Sequence, residues 1–203
     1  MALVVGWLLS ALPAGAAEPL KILMLGDSLT AGYGLVKGQS VPARLDQALK
    51  AGGVDVQIIN AGVSGDTSAG GRARLAWALA DGPRGLIIEL GANDGLRGLD
   101  PQQTFANLDA IISQAKAAGL AVLLTGMRAP PNLGPEYGDE FNRIYPDLAA
   151  RHRVPLYPFF LDGVVADPAL NQADGIHPNP DGVAVIVKKL LPLVKAMISA
   201  IEK

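Results

Sequence analysis

Residues 20–25 read LKILML and run directly into Gly26, Asp27 and Ser28. A strand with one wet face alternates apolar and polar residues; a nearly continuous apolar run closed by glycine reads as a strand buried on both faces. The same kind of run recurs at residues 54–59 (VDVQII), 85–90 (GLIIEL) and 120–125 (LAVLLT). A fifth, shorter run at residues 154–157 carries Pro155 and is followed by Pro158. It belongs at a sheet edge, because proline cannot donate to a ladder.

Helical patterns fill the intervals. Asp100, Pro101 and Gln103 supply an N-cap, a first-turn proline and a capping-box partner for a helix that stops at Gly119. Ser40 caps a second helix over residues 41–51, closed by Gly52 and Gly53. Residues 67–79 and 138–151 form two more. Residues 183–201 end the chain with apolar positions at helical spacing, and Pro192 within them predicts a kink. Strands alternating with helices predict one domain, a three-layer α/β/α sandwich around a five-stranded parallel sheet.

Composition narrows the chemistry. The 203 residues include no cysteine, which excludes disulfides, a thiolate nucleophile and cysteine-held metal centres. A net charge of -2 without a basic stripe gives no footprint for nucleic acid. Residues 2–12 (ALVVGWLLSAL) are apolar, and Pro13 and the small residues Ala14, Gly15 and Ala16 follow. That pattern predicts a signal peptide over residues 1–16, a mature domain over residues 17–203, and an exported, periplasmic or secreted protein. No Lys or Arg precedes the run, which departs from the usual pattern. An uncleaved anchor is the alternative, but a spanning helix needs about 20 apolar residues. No stable membrane anchor and no obligatory partner subunit are expected.

In an open parallel sheet, ligands bind beyond the carboxyl ends of the strands. Three such loops are rich in glycine and short polar residues: 26–30 (GDSLT), 60–65 (NAGVSG) and 91–95 (GANDG). Ser28 follows the first strand, where its hydroxyl can face the cleft, but a serine needs a base to become a nucleophile. The chain holds only two histidines. His152 lies between Arg151 and Arg153, which disfavour an imidazolium there. His177 sits in DGIHPN (residues 174–179), where Gly175 permits a tight turn that brings Asp174 back to the imidazole. Backbone N–H groups of Ser28 and Gly62, with the Asn93 carboxamide, are the expected oxyanion donors.

These blocks, GDSLTAGYG (residues 26–34), NAGVSGDT (60–67), GANDGLRG (91–98) and DGIHPN, resemble those of the SGNH (GDSL-motif) hydrolases, and in particular a bacterial periplasmic thioesterase, arylesterase and lysophospholipase subgroup. The resemblance implies a flavodoxin-like sheet and hydrolysis of acyl esters and thioesters without cofactor or metal. It also implies Ser28 as nucleophile, Asp174 and His177 completing a triad, and Ser28, Gly62 and Asn93 binding the oxyanion.

Blander readings stand beside these. Ser28 alone is a plausible helix N-cap. Ser64 lacks the final glycine of a strand–elbow motif and reads as a loop residue. Asp27, Asp66 and Asp94 with Asp174 and His177 offer carboxylate oxygens and an imidazole nitrogen for a metal, though each loop also suits a turn. Residues 127–137 (MRAPPNLGPEY) follow the fourth strand, and there Pro130 and Pro131, with Leu96, are expected to wall an acyl pocket. A non-catalytic binding module on the same scaffold explains the sheet and pocket but not the Ser28, Asn93, Asp174 and His177 set. Catalysis by His177 predicts activity that falls as pH drops through about 6.5.

Overall fold

The computed structural model describes residues 18–203; the leader segment read at residues 1–16 lies outside them. Five strands form the sheet: β1 (Leu20–Gly26), β2 (Val56–Gly62), β3 (Gly85–Glu89), β4 (Ala121–Thr125) and β5 (Leu156–Tyr157). Every pairing is parallel, in the order β2-β1-β3-β4-β5. Among the described residues seven α-helices accompany them: α1 (Ser28–Ala31), α2 (Val41–Ala51), α3 (Ser68–Ala78), α4 (Ala92–Leu96), α5 (Pro101–Ala117), α6 (Pro135–His152) and α7 (Pro180–Ile201). Helices α2 and α7 pack together on one face, and α3, α5 and α6 pack on the other. The architecture is the three-layer sandwich that the alternation predicts, and this strand order is flavodoxin-like.

The strands differ as their positions require. Ile22, Leu23, Met24 and Leu25 of β1 and all five residues of β3 are buried, because helices cover both faces. β2 lies at an edge and alternates, with Val56 and Ile58 buried and Gln57 exposed. Its pairing with β1 starts two residues later than residue 54 and continues through Gly26 opposite Gly62. The rim loop therefore begins at Val63, not at Asn60. β5 is the other edge and keeps only two residues beyond Pro155.

Helix ends follow local chemistry. Asp100 accepts from Gln102 N at 2.9 Å and Pro101 opens α5. Asn179 accepts from Asp181 N and Gly182 N, so α7 starts at Pro180, three residues before the apolar pattern begins. Pro192 and Pro146 each sit inside a continuous helix. Among the described residues no helix is long and apolar enough to cross a membrane.

Candidate active site

Strand order reverses at β1, whose neighbours are β2 and β3, and there the loops after β1 and β3 diverge to leave a crevice. Ser28 follows β1 as the first residue of α1. The N-cap is Asp27, whose Oδ1 accepts from Leu29 N at 2.9 Å, so Ser28 is not itself the cap. Its hydroxyl is free to point outward.

His177 reaches Ser28 from the opposite end of the chain. Residues 171–178 fold back on themselves: Asn171 bridges to Pro178, Gln172 N donates to His177 O at 2.8 Å, and Gly175 N donates to Gln172 O at 2.9 Å. The buried Asn171 carboxamide anchors this turn on Val164 O and Asp167 O. Asp174 Oδ1 accepts from the backbone N–H groups of Ile176 and His177, at 2.9 and 3.0 Å. Its other oxygen lies 2.7 Å from His177 Nδ1, and His177 Nε2 lies 2.9 Å from Ser28 Oγ. An ionised carboxylate can only accept, so Nδ1 carries the proton and Nε2 is left to accept from the serine hydroxyl. The hydrogen bonds from His177 N, Ile176 N and the His177 ring hold the Asp174 carboxyl down at about 2. It is ionised throughout the neutral range although its side chain is only 35% exposed.

Asn93, from α4, stands beside this line. Its Nδ2 donates to Asp27 Oδ2 at 3.1 Å and to Asp66 O at 2.9 Å. Burial pushes the Asp27 carboxyl up to about 6, against hydrogen bonds from Leu29 N–H and Asn93 that pull it down.

The structure places Ser28, Asn93, Asp174 and His177 together but not Gly62. Gly62 lies within β2, and its N–H donates to Asn60 Oδ1 at 2.9 Å. A Cβ there would sit 2.2 Å from the Ala31 nitrogen, so glycine at this position lets α1 close on the sheet. Of the glycines after β2, Gly65 lines the crevice, with φ +82, and its N–H is donated to no acceptor among the described residues. Sequence reading put Gly62 on the rim because it ended β2 three residues early.

Leu96, Pro130 and Pro131 line the same crevice, a cavity of about 570 Å³ walled also by Met127, Phe159, Leu161 and Val165. Ser64 lines it too. Asp66 is paired with Arg74 at 2.7 Å, and Asp94 is buried in bonds from Ser68 and Thr104. These carboxylates brace loops. Among the described residues no group of three or more His, Asp or Glu is arranged to hold a metal.

Two contributors carried no recognisable sequence signal. Tyr33 packs against His177 with ring centroids 4.7 Å apart and planes tilted by 40°. Gln172 Nε2 donates to Tyr33 O at 2.7 Å and to Pro178 O at 3.0 Å, tying the serine and histidine loops together.

A hydroxyl, an imidazole and a carboxylate in one hydrogen-bonded line, at the switch point of a parallel sheet, define a serine hydrolase. The chain belongs to the GDSL-like lipase/acylhydrolase family, which matches residues 24–185. It is 43% identical to esterase TesA of Pseudomonas aeruginosa, over 87% of this chain and 89% of that one. It is 45% identical to thioesterase 1/protease 1/lysophospholipase L1 of Escherichia coli K12, over 89% of this chain and 87% of that one. The crystal structure of the psychrotrophic esterase EstA from Pseudoalteromonas, inhibited by monoethylphosphonate, superposes with a TM-score of 0.83 at 33% identity. That alignment covers 88% of this chain and 98% of the other.

Proposed function

We propose that this serine hydrolase cleaves acyl esters and thioesters through an acyl-enzyme on Ser28. The relatives named as esterase and as thioesterase and lysophospholipase support that substrate range. The observation that carries the assignment of roles is the continuous line from Ser28 Oγ through His177 to Asp174, at 2.9 and 2.7 Å. In this reading Ser28 Oγ attacks the carbonyl carbon while its proton passes to His177 Nε2. The negative oxygen is received by the N–H groups of Ser28 and Gly65 and by the Asn93 carboxamide, which exchanges one of its resting bonds for the new one. The imidazolium, stabilised by Asp174, protonates the departing alcohol or thiol. Water, activated by the same imidazole, then attacks the acyl-enzyme and releases the acid.

The apolar walls at Leu96, Pro130, Pro131 and Phe159 suit an acyl chain. No metal or cofactor enters this scheme. The leader over residues 1–16 marks the protein for export; the apolar run and the small residues after Pro13 support this, and the mass of the mature protein tests it.

An alkylphosphonate probe followed by peptide mass spectrometry tests the assignment. The label is expected on the peptide bearing Ser28, with loss of hydrolysis of a chromogenic short-chain ester. A label elsewhere, or undiminished turnover by S28A, refutes it and favours a binding module.

A further inference from the structure

Beneath the nucleophile lies an acid that this scheme does not use. Glu89, the last residue of β3, is fully buried. Its Oε2 accepts from Thr30 Oγ1 at 2.7 Å and from Asp27 N at 3.3 Å, so it holds the turn that carries Ser28 from both sides. Its Oε1 is buried without any hydrogen-bond partner, and Glu89 forms no ion pair among the described residues.

The groups around it give no compensating charge. Asp27 follows β1 and is the second buried carboxyl of the pocket. The Arg74 guanidinium of α3 is committed to Asp66 and Gly26 O. Tyr145 of α6 donates to Leu90 O, and Asp94 of α4 is held by Ser68 and Thr104. His177 faces Asp27 from the far side and acts on that carboxyl. Two neighbouring carboxyls without a cation between them cannot both be ionised at low cost. Asp27 accepts hydrogen bonds on both oxygens, from Leu29 N and Asn93 Nδ2, whereas Glu89 has one oxygen bare. The charge therefore settles on Asp27.

We propose that Glu89 works as a neutral carboxylic acid, a positioning residue that braces the nucleophile turn through Thr30 and the Asp27 backbone and leaves the pair's negative charge on Asp27, where it orients Asn93. Burial and the nearby Asp27 charge both push the Glu89 carboxyl well above the usual range, which agrees with that role. The proposal rests on Asn93 as an oxyanion donor and adds a division of labour between two acids.

The test compares neutralisation at the two positions. E89Q, uncharged and of the same shape, is expected to keep kcat within about threefold of wild type and to leave the acid limb of the kcat/KM profile in place. E89A removes the brace and D27N the orienting charge, and each is expected to lower kcat by about tenfold to a hundredfold with KM little changed. Infrared spectra at neutral pH should show a protonated carboxyl band in wild type that E89Q abolishes. The proposal is overturned if folded E89Q is as impaired as E89A, if its acid limb moves, or if wild type lacks the band. Should E89A fail to fold, the E89Q and D27N contrast and the band decide alone. The band needs no turnover, so loss of the Ser28 assignment and loss of this one are separable.

Discussion

The molecule contains two histidine–aspartate pairs, and among the described residues only one of them is hydrogen-bonded to a serine. In His177–Asp174 the carboxylate takes Nδ1 and leaves Nε2 on Ser28. In His152–Asp109, which joins the C-terminal end of α6 to the middle of α5, the contact is through Nε2 at 2.9 Å, and Arg151 adds a second bond to the same oxygen at 3.1 Å. Burial raises the Asp109 carboxyl, but hydrogen bonds from His152 and Arg151 outweigh it and hold it below the usual range. Both pairs thus keep an ionised carboxylate on an imidazole. The first aims its remaining nitrogen into an apolar cavity beside a hydroxyl, and the second ties two helices together. An imidazole–carboxylate contact is a structural fastening until something reactive stands on its other side.

Mutations can break that comparison, from the largest effect downward. S28A and H177A should each reduce kcat on a chromogenic ester by about 10⁴-fold or more, while H152A stays within about twofold of wild type. Equal damage from H152A and H177A would erase the distinction. D174N should lower kcat on the order of 10²–10⁴-fold, because an amide no longer stabilises the imidazolium. D109N should leave kcat unchanged and cost about 1 kcal/mol of stability in urea titrations, a small figure because the ion pair is partly exposed. Y33L, which removes the ring against His177, is expected to lower kcat/KM by roughly threefold to tenfold through looser placement of the base.

The subtlest effect concerns acid. The Asp174 carboxyl is lower in the folded protein, at about 2, than its ordinary 3.8. A lowered carboxyl contributes stability that is complete above its unfolded value and disappears as pH falls through the folded one. The melting-temperature gap between wild type and D174N should therefore be constant from pH 8 to about 5 and close between about 4 and 2. A gap that widens with acid would reverse the sign of the interaction.

The central strands are legible in the sequence because burial on two faces writes itself as continuous apolar runs, and most helices by their caps and spacing, whereas β2, at an edge, alternates. The Ser28, Asn93, Asp174 and His177 constellation is legible because its spacing makes sense only at converging loops. Gly62 is the instructive error. Residues 60–62 look like a loop by composition, yet pairing with β1 extends the strand through them and moves the rim to residues 63–66. Register across a ladder is a tertiary property, and a local reading has no access to it. The short helices α1 and α4 escaped for a related reason: four or five residues carry too little periodicity to announce themselves. Glu89 is a lone acid inside an apolar run, and its meaning depends on Asp27, 62 positions away.

Ser28 and His177 are 149 positions apart, and the turn bearing His177 leads into α7, which packs against α2. A ribosome must therefore release nearly the entire polypeptide before the first hydrolytic event can occur. Catalytic output becomes a completion signal: a nascent or truncated chain without His177 has no base for Ser28, and specific activity measures the fraction of molecules that have finished folding.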